Sequence, residues 1–131
     1  MTYVMRDYHG HRQELDGPAE AVRQFDEQAD AIMSHGGSGQ VIWFAPAGGS
    51  DALRIDVDVD TGRAALRWLA DGSQAVELDP DMPLRVLEST DGGLVTIPAE
   101  LARVSVATAR QAVAEYVTTG QRPTCVEWTT G

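Results

Sequence analysis

Apolar residues recur along this chain with two periods, and the periods divide it into elements. Val22, Phe25, Ala29, Ile32 and Met33 follow one another at three or four residues, with Arg23, Gln24, Asp26, Glu27 and Asp30 mostly between them. That spacing predicts an amphipathic helix. Asp16-Gly17-Pro18 reads as its start, with Asp16 as N-cap and Pro18 in the first turn, and it should stop near His35, ahead of Gly36-Gly37-Ser38-Gly39. A second, longer helix is predicted from Ile97-Pro98-Ala99-Glu100 to Thr119, with Leu101, Val104, Thr108, Ala112, Val113, Tyr116 and Val117 on one face. Gly120 stands where a left-handed C-terminal cap belongs, and Pro123 forbids the helix from resuming.

The other segments read with a period of two or as short apolar runs. Thr2 to Tyr8 alternates loosely and predicts a short strand. Gln40 to Ala45 carries Val41-Ile42-Trp43-Phe44 without a break, so it predicts a strand buried on both faces at the centre of a sheet. Asp51 to Asp60 alternates cleanly: Leu53, Ile55, Val57 and Val59 face one way and Arg54, Asp56, Asp58 and Asp60 the other. Turns at Asp60-Thr61-Gly62 and Asp71-Gly72 then lead into strands at Arg63–Leu69 and Gln74–Leu78. Asp79-Pro80-Asp81-Met82-Pro83 interrupts the meander. Leu84–Leu87 and Leu94–Ile97 predict two short strands around Asp91-Gly92-Gly93. The chain should close on a Trp-bearing strand, with Thr124, Val126 and Trp128 on one side and Cys125 and Glu127 on the other. The order of elements lacks a strict βαβα alternation. It predicts an α+β fold, a largely antiparallel meander sheet with two main helices packed on it, in one domain over residues 1–131.

Composition adds three constraints. A hydrophobic share of 43% over 131 residues is enough to build a core without a disulfide or metal staple. The formal net charge of -10 argues against nucleic acid or an anionic membrane as direct partner and suits a basic protein. Met1 to Gly10 is mixed and polar, no run approaches a membrane span, and the lone Cys125 reads as a small buried thiol in a reducing compartment. The expected location is the cytoplasm.

No catalytic constellation emerges from the motifs. Asp56-Val57-Asp58-Val59-Asp60-Thr61-Gly62 has alternating carboxylates, but a calcium loop starting at Asp56 would need glycine at Thr61 and a closing acid at Arg67. The three aspartates read instead as a solvated acidic stripe. His9, His11 and His35 have no Cys or Glu cluster at metal-ligand spacing. Gly36 to Gln40 lies after a helix and before a strand, the wrong order for a phosphate loop, and no Gly-x-Ser-x-Gly is present. Trp43, Trp68 and Trp128 read as core. No metal, no cofactor and no enzymatic activity are expected.

Gly62-Arg63-Ala64-Ala65-Leu66-Arg67-Trp68, Asp71-Gly72, Ile97-Pro98 and Thr118-Thr119-Gly120-Gln121-Arg122-Pro123-Thr124-Cys125-Val126-Glu127-Trp128 together resemble the first-numbered immunity-protein family of bacterial polymorphic toxin systems. The resemblance runs from about Gln40 to the C-terminus. It implies a small α+β protein that neutralises a toxin, often a nucleic-acid deaminase or nuclease, by binding rather than by catalysis. Trp68, Arg122, Pro123, Glu127 and Trp128 match the family pattern. The expected partner is a basic, nucleic-acid-acting toxin domain whose active site is occluded. The expected contact surface comprises Asp56, Asp58, Asp60, Glu127 and Trp68. The competing expectation is a small-ligand-binding or enzymatic α+β domain with a pocket between helix and sheet.

Overall fold

The fold is an α+β arrangement built on one ten-stranded, largely antiparallel sheet, seen in a computed structural model that describes residues 2–31 and 37–130. Along its main path the strands run β10 (Glu127–Thr129), β6 (Ser73–Val76), β5 (Arg63–Trp68), β4 (Leu53–Asp58), β3 (Gln40–Pro46), β1 (Tyr3–Arg6) and β2 (Arg12–Leu15). Three short strands branch off. β7 (Leu84–Leu87) and β8 (Leu94–Ile97) form a hairpin that meets β3 through a parallel bridge between Leu87 and Gln40, and β9 (Val104–Ser105) pairs with β5. The two helices, α1 (Pro18–Ala29) and α2 (Val106–Thr119), pack against each other and against one face of the sheet.

The period-two pattern sorts residues between the two sheet faces. Ile42 and Phe44 from β3, Leu53, Ile55 and Val57 from β4, and Ala64 and Leu66 from β5 meet Phe25 of α1 and Ala112, Val113 and Tyr116 of α2 in the main core. The residues between them face away from the helices. There Val41, Trp43 and Ala65 are covered by Leu84 and Val86 of β7, Ile97 of β8, and Ala102, forming a second, smaller core. Both faces of β3 are therefore buried, as its unbroken apolar run predicts.

Several expectations give way to local chemistry. α1 begins at Gly17, whose φ of 108° only glycine holds comfortably, and no side chain caps it, so Asp16 is not the cap. Its buried face is Ala21, Phe25 and Ala29, while Val22 is only half-buried; the helix ends at Ala29, and Ile32, Met33 and His35 lie outside the described residues. Residues 12–15, polar apart from Leu15, form the edge strand β2, which the sequence pattern did not signal. α2 starts at Val106 and not at Pro98. The backbone carbonyl of Arg103 accepts the N–H groups of Glu77 and Leu78, and Val104–Ser105 pairs with β5, so the chain before Val106 is extended. Ser105 then caps the helix, its Oγ accepting the Thr108 N–H at 3.1 Å. The helix ends as expected on Gly120 in the left-handed conformation, φ 72°.

The closing strand is shorter than its alternation suggested. Only Glu127–Thr129 pairs, with β6, on the sheet edge. Cys125 is exposed rather than a core thiol; its backbone N–H donates to Glu115, whose carboxylate also takes the N–H and hydroxyl of Thr124. Burial and then the Glu115 charge push the Cys125 thiol pKa up, so it is a poor nucleophile.

Candidate partner-binding surface

The alternating aspartates of β4 do not form one solvated stripe. Asp56 is 0% exposed. Its carboxylate accepts from Arg54 Nη2 at 2.9 Å and from Arg67 Nη2, on the neighbouring strand, at 3.1 Å. Arg54 also reaches Glu88, just after β7, at 2.7 Å. Burial works against the Arg54 charge, but its bonds to Asp56 and Glu88 outweigh that and raise its pKa. The reason is register: Arg12, Arg6, Trp43, Arg54, Arg67, Gln74 and Thr129 are successive cross-strand partners on the face away from the helices. Arg6 stacks on Trp43 with its guanidinium carbon 4.0 Å from the ring centre, and pairs with Asp51 at 2.6 Å. This row carries positive side chains, but Asp51, Asp56 and Glu88 neutralise them from within. The network ties strands together and leaves little charge for a partner.

Asp58 and Asp60 behave differently. Asp58, half-buried, takes the Ser38 hydroxyl at 2.9 Å and the Asp60 N–H at 3.0 Å, which shapes the β4–β5 turn. Asp60 is exposed at its tip. Two more segments arrive at this end of the sheet. Arg63 Nη1 donates to the backbone carbonyls of Asp79 and Ala102, at 2.9 and 3.0 Å, and Arg103 Nε donates to Leu78 O at 2.7 Å. Each arginine thus directs one nitrogen to backbone carbonyls. The carboxylates of Asp60, Asp79, Asp81 and Glu100 make no ion pair among the described residues and are exposed. Glu77, beside them, binds Ser105 N at 2.7 Å and the Thr108 hydroxyl. Partial burial opposes its ionisation, yet these hydrogen bonds prevail and hold its pKa below the usual value. The result is an acidic end built by the β4–β5 turn, the segment after β6 and the segment before β9.

Of the expected contact residues, the fold therefore brings Asp58 and Asp60 together at this end. Glu127 lies exposed on the edge strand β10, opposite Val76, the residue before Glu77. Asp56 is withdrawn into the arginine network. Trp68 turns to the helix side, half-buried, its ring 5.7 Å from Tyr116. Asp79, Asp81 and Glu100 were not singled out from the sequence. They sit in irregular segments, and the hydrogen bonds of Arg63 and Arg103 reveal that these segments converge.

The helix–sheet interface is filled by Phe25, Phe44, Ala112, Val113 and Tyr116, all at most 1% exposed. The Tyr116 hydroxyl is buried without a partner among the described residues, and burial, with Tyr3 and Asp51 nearby, pushes its pKa up to about 12. An open depression of about 480 Å³ lies elsewhere, at the exit of α2, lined by Arg122, Thr124, Glu127 and Trp128 among others. Arg122 there is held by Asp71 at 3.1 Å, and Trp128 Nε1 donates to Pro123 O at 2.7 Å. His9 and His11 stack with ring centres 5.4 Å apart before β2. Among the described residues no group of three or more His, Cys, Asp or Glu side chains is placed to hold a metal ion, and no helix is long and apolar enough to cross a membrane.

Comparison with known proteins adds what geometry cannot. No curated protein matches the chain. A family model described as immunity protein Imm1 matches residues 4–130, nearly the whole length, so the resemblance extends through β1, β2 and α1 as well as the C-terminal half. That family indicates a non-enzymatic role with a cognate toxin as partner. The match over residues 4–130 shows that this chain belongs to the Imm1 family of immunity proteins.

Proposed function

We propose that this protein neutralises a toxin that acts on nucleic acid, a deaminase or a nuclease, and does so in the cytoplasm by covering the toxin's active site or substrate groove. An enzyme that grips nucleic acid presents a cationic groove to the phosphate backbone. The observation that carries the reading is the acidic end: Asp60, Asp79, Asp81 and Glu100 are exposed and make no ion pair among the described residues, in a chain of net charge -10. Its anionic oxygens imitate, in charge, the phosphates that such a groove is built to hold. A field of this kind raises association rates towards about 10⁸–10⁹ M⁻¹s⁻¹ at low salt, against about 10⁵–10⁶ without steering. Glu127 extends the acidic surface along β10. Trp68 and Asp56 serve the fold.

The test pairs survival with kinetics. Co-expression of this chain should rescue cells from the toxin encoded beside it, and the two should co-purify. The triple variant Asp60→Arg, Asp79→Arg, Asp81→Arg should slow association by at least about tenfold at low salt and flatten its salt dependence. An association rate equal to that of the native chain at every salt concentration would remove the electrostatic part of the proposal.

A further inference from the structure

An open sheet edge is a template for another strand, and proteins usually blunt theirs with charge. Leaving aside the two-residue β9, three strands have a neighbour on one side only among the described residues: β2, β10 and β8. β2 is blunted by Arg12 and Glu14. β10 is three residues long and carries Glu127. β8 reads Leu94-Val95-Thr96-Ile97 and has no charge at all. Val95 is 36% exposed and Thr96 is exposed beside it. Among the described residues the backbone of 94–97 bonds only to β7, and the strand is open to solvent at Val95 and Thr96, whereas Ile97 is buried. The hairpin is also firmly mounted. Leu84, Val86 and Ile97 are buried against Val41, Trp43 and Ala65, which presents the edge on a rigid base.

We propose that β8 is a docking edge on which the toxin adds a β-strand, pairing main chain to main chain. This rests on the function proposed above and names the mode of contact. The added strand should carry β-branched or other apolar residues at alternate positions to meet Val95, and Lys or Arg at its ends. The second requirement comes from the flanks: Asp91 precedes β8, Glu100 follows it, and no Lys or Arg lies between Arg85 and Arg103. Arg85 stands opposite Thr96 on β7, one strand removed from the edge. The same flanks disfavour a second copy of this chain as occupant. Antiparallel β8–β8 pairing would set the Asp91 end of one copy against the Glu100 end of the other, between molecules of charge -10 each. Glu100 belongs to the acidic end as well, so a strand on β8 and a cationic groove on that end form one continuous contact.

The experiment uses the full chain and the adjacent-gene toxin domain with a catalytic residue substituted. Hydrogen exchange of peptides spanning 93–98 should slow at least about tenfold on complex formation. Val95→Lys and Thr96→Lys, each confirmed folded by circular dichroism, should raise Kd at least about tenfold. Gln13→Lys on the β2 edge should leave it unchanged. Tight binding by both β8 variants, with no protection of 93–98, overturns the inference while leaving the immunity function intact. A toxin that the native chain does not bind overturns the functional reading and this inference with it. Protection of 93–98 that appears with concentration in the chain alone identifies a second copy as the occupant and also overturns it.

Discussion

Asp56→Asn keeps the size of the side chain and removes the charge that two arginines converge on. In the native chain Asp56 accepts from Arg54 and Arg67 with no exposure of its own. Breaking a buried ion pair by deleting one partner costs about 3–5 kcal/mol, because the other charge remains desolvated. Here the cost is moderated. Arg54, 15% exposed, keeps Glu88 at 2.7 Å, and Arg67 is 28% exposed and can turn towards water. Arg67 Nε, already buried without a partner among the described residues, gains none. A loss of about 2–4 kcal/mol follows, a large share of the ~5–15 kcal/mol that holds a domain of this size together. Since ~1 kcal/mol moves the midpoint by about 3–5 °C for such a chain, thermal unfolding followed by circular dichroism should shift down by about 6–20 °C. Replacing Arg67 by Met in the same background should restore part of the loss, because the uncompensated guanidinium then disappears. A shift under 2 °C with Asp56→Asn would refute the reasoning, since a solvated carboxylate costs roughly nothing to remove.

Other perturbations probe separate parts of the account. Gly120→Ala places a Cβ 2.5 Å from the Tyr3 hydroxyl on a backbone at φ 72°, and should cost about 1–3 kcal/mol in urea denaturation. Ser105→Ala removes the cap of α2 and should cost about 1 kcal/mol by the same measurement. Glu77 supplies a pH test. Its folded pKa lies below the usual 4.5, so it contributes stability that is complete above 4.5 and is lost as pH falls through the lower folded value. Glu77→Gln should therefore be less stable than the native chain at pH 7, and the two should converge in acid; a gap that stays constant between pH 7 and pH 3 would contradict this.

The sheet was legible where a strand's environment is set by its own residues. The unbroken Val41–Phe44 run reports burial on both faces, and the alternation from Leu53 to Val57 reports one apolar face, because side-chain direction alone decides both. Gly62, Gly72 and Gly120 announce turns and a cap through positive φ, and each is found there. What the sequence hid depends on distant partners. Asp56 looks solvated beside Asp58 and Asp60, and it is buried because Arg67 from β5 and the β7–β8 hairpin close over it. Leu101 and Val104 keep helical spacing, yet the strand pairing of Val104–Ser105 with Arg63–Ala64 overrides that weak local preference. Cys125 reads as a small buried thiol, and its exposure goes with the grip of Glu115 on residues 124 and 125. The acidic end is the clearest case: the segments that carry Asp79, Asp81 and Glu100 are joined by the bonds of Arg63 and Arg103 to carbonyls and by those of Glu77 and Leu78 to the 103–105 backbone.

The central claim is neutralisation by a stoichiometric contact, and titrating the toxin's enzymatic activity with the purified chain tests it most directly. With toxin held well above Kd, its activity should fall linearly and vanish at one chain per toxin domain. Full activity in the presence of a tenfold excess of the chain would contradict the account.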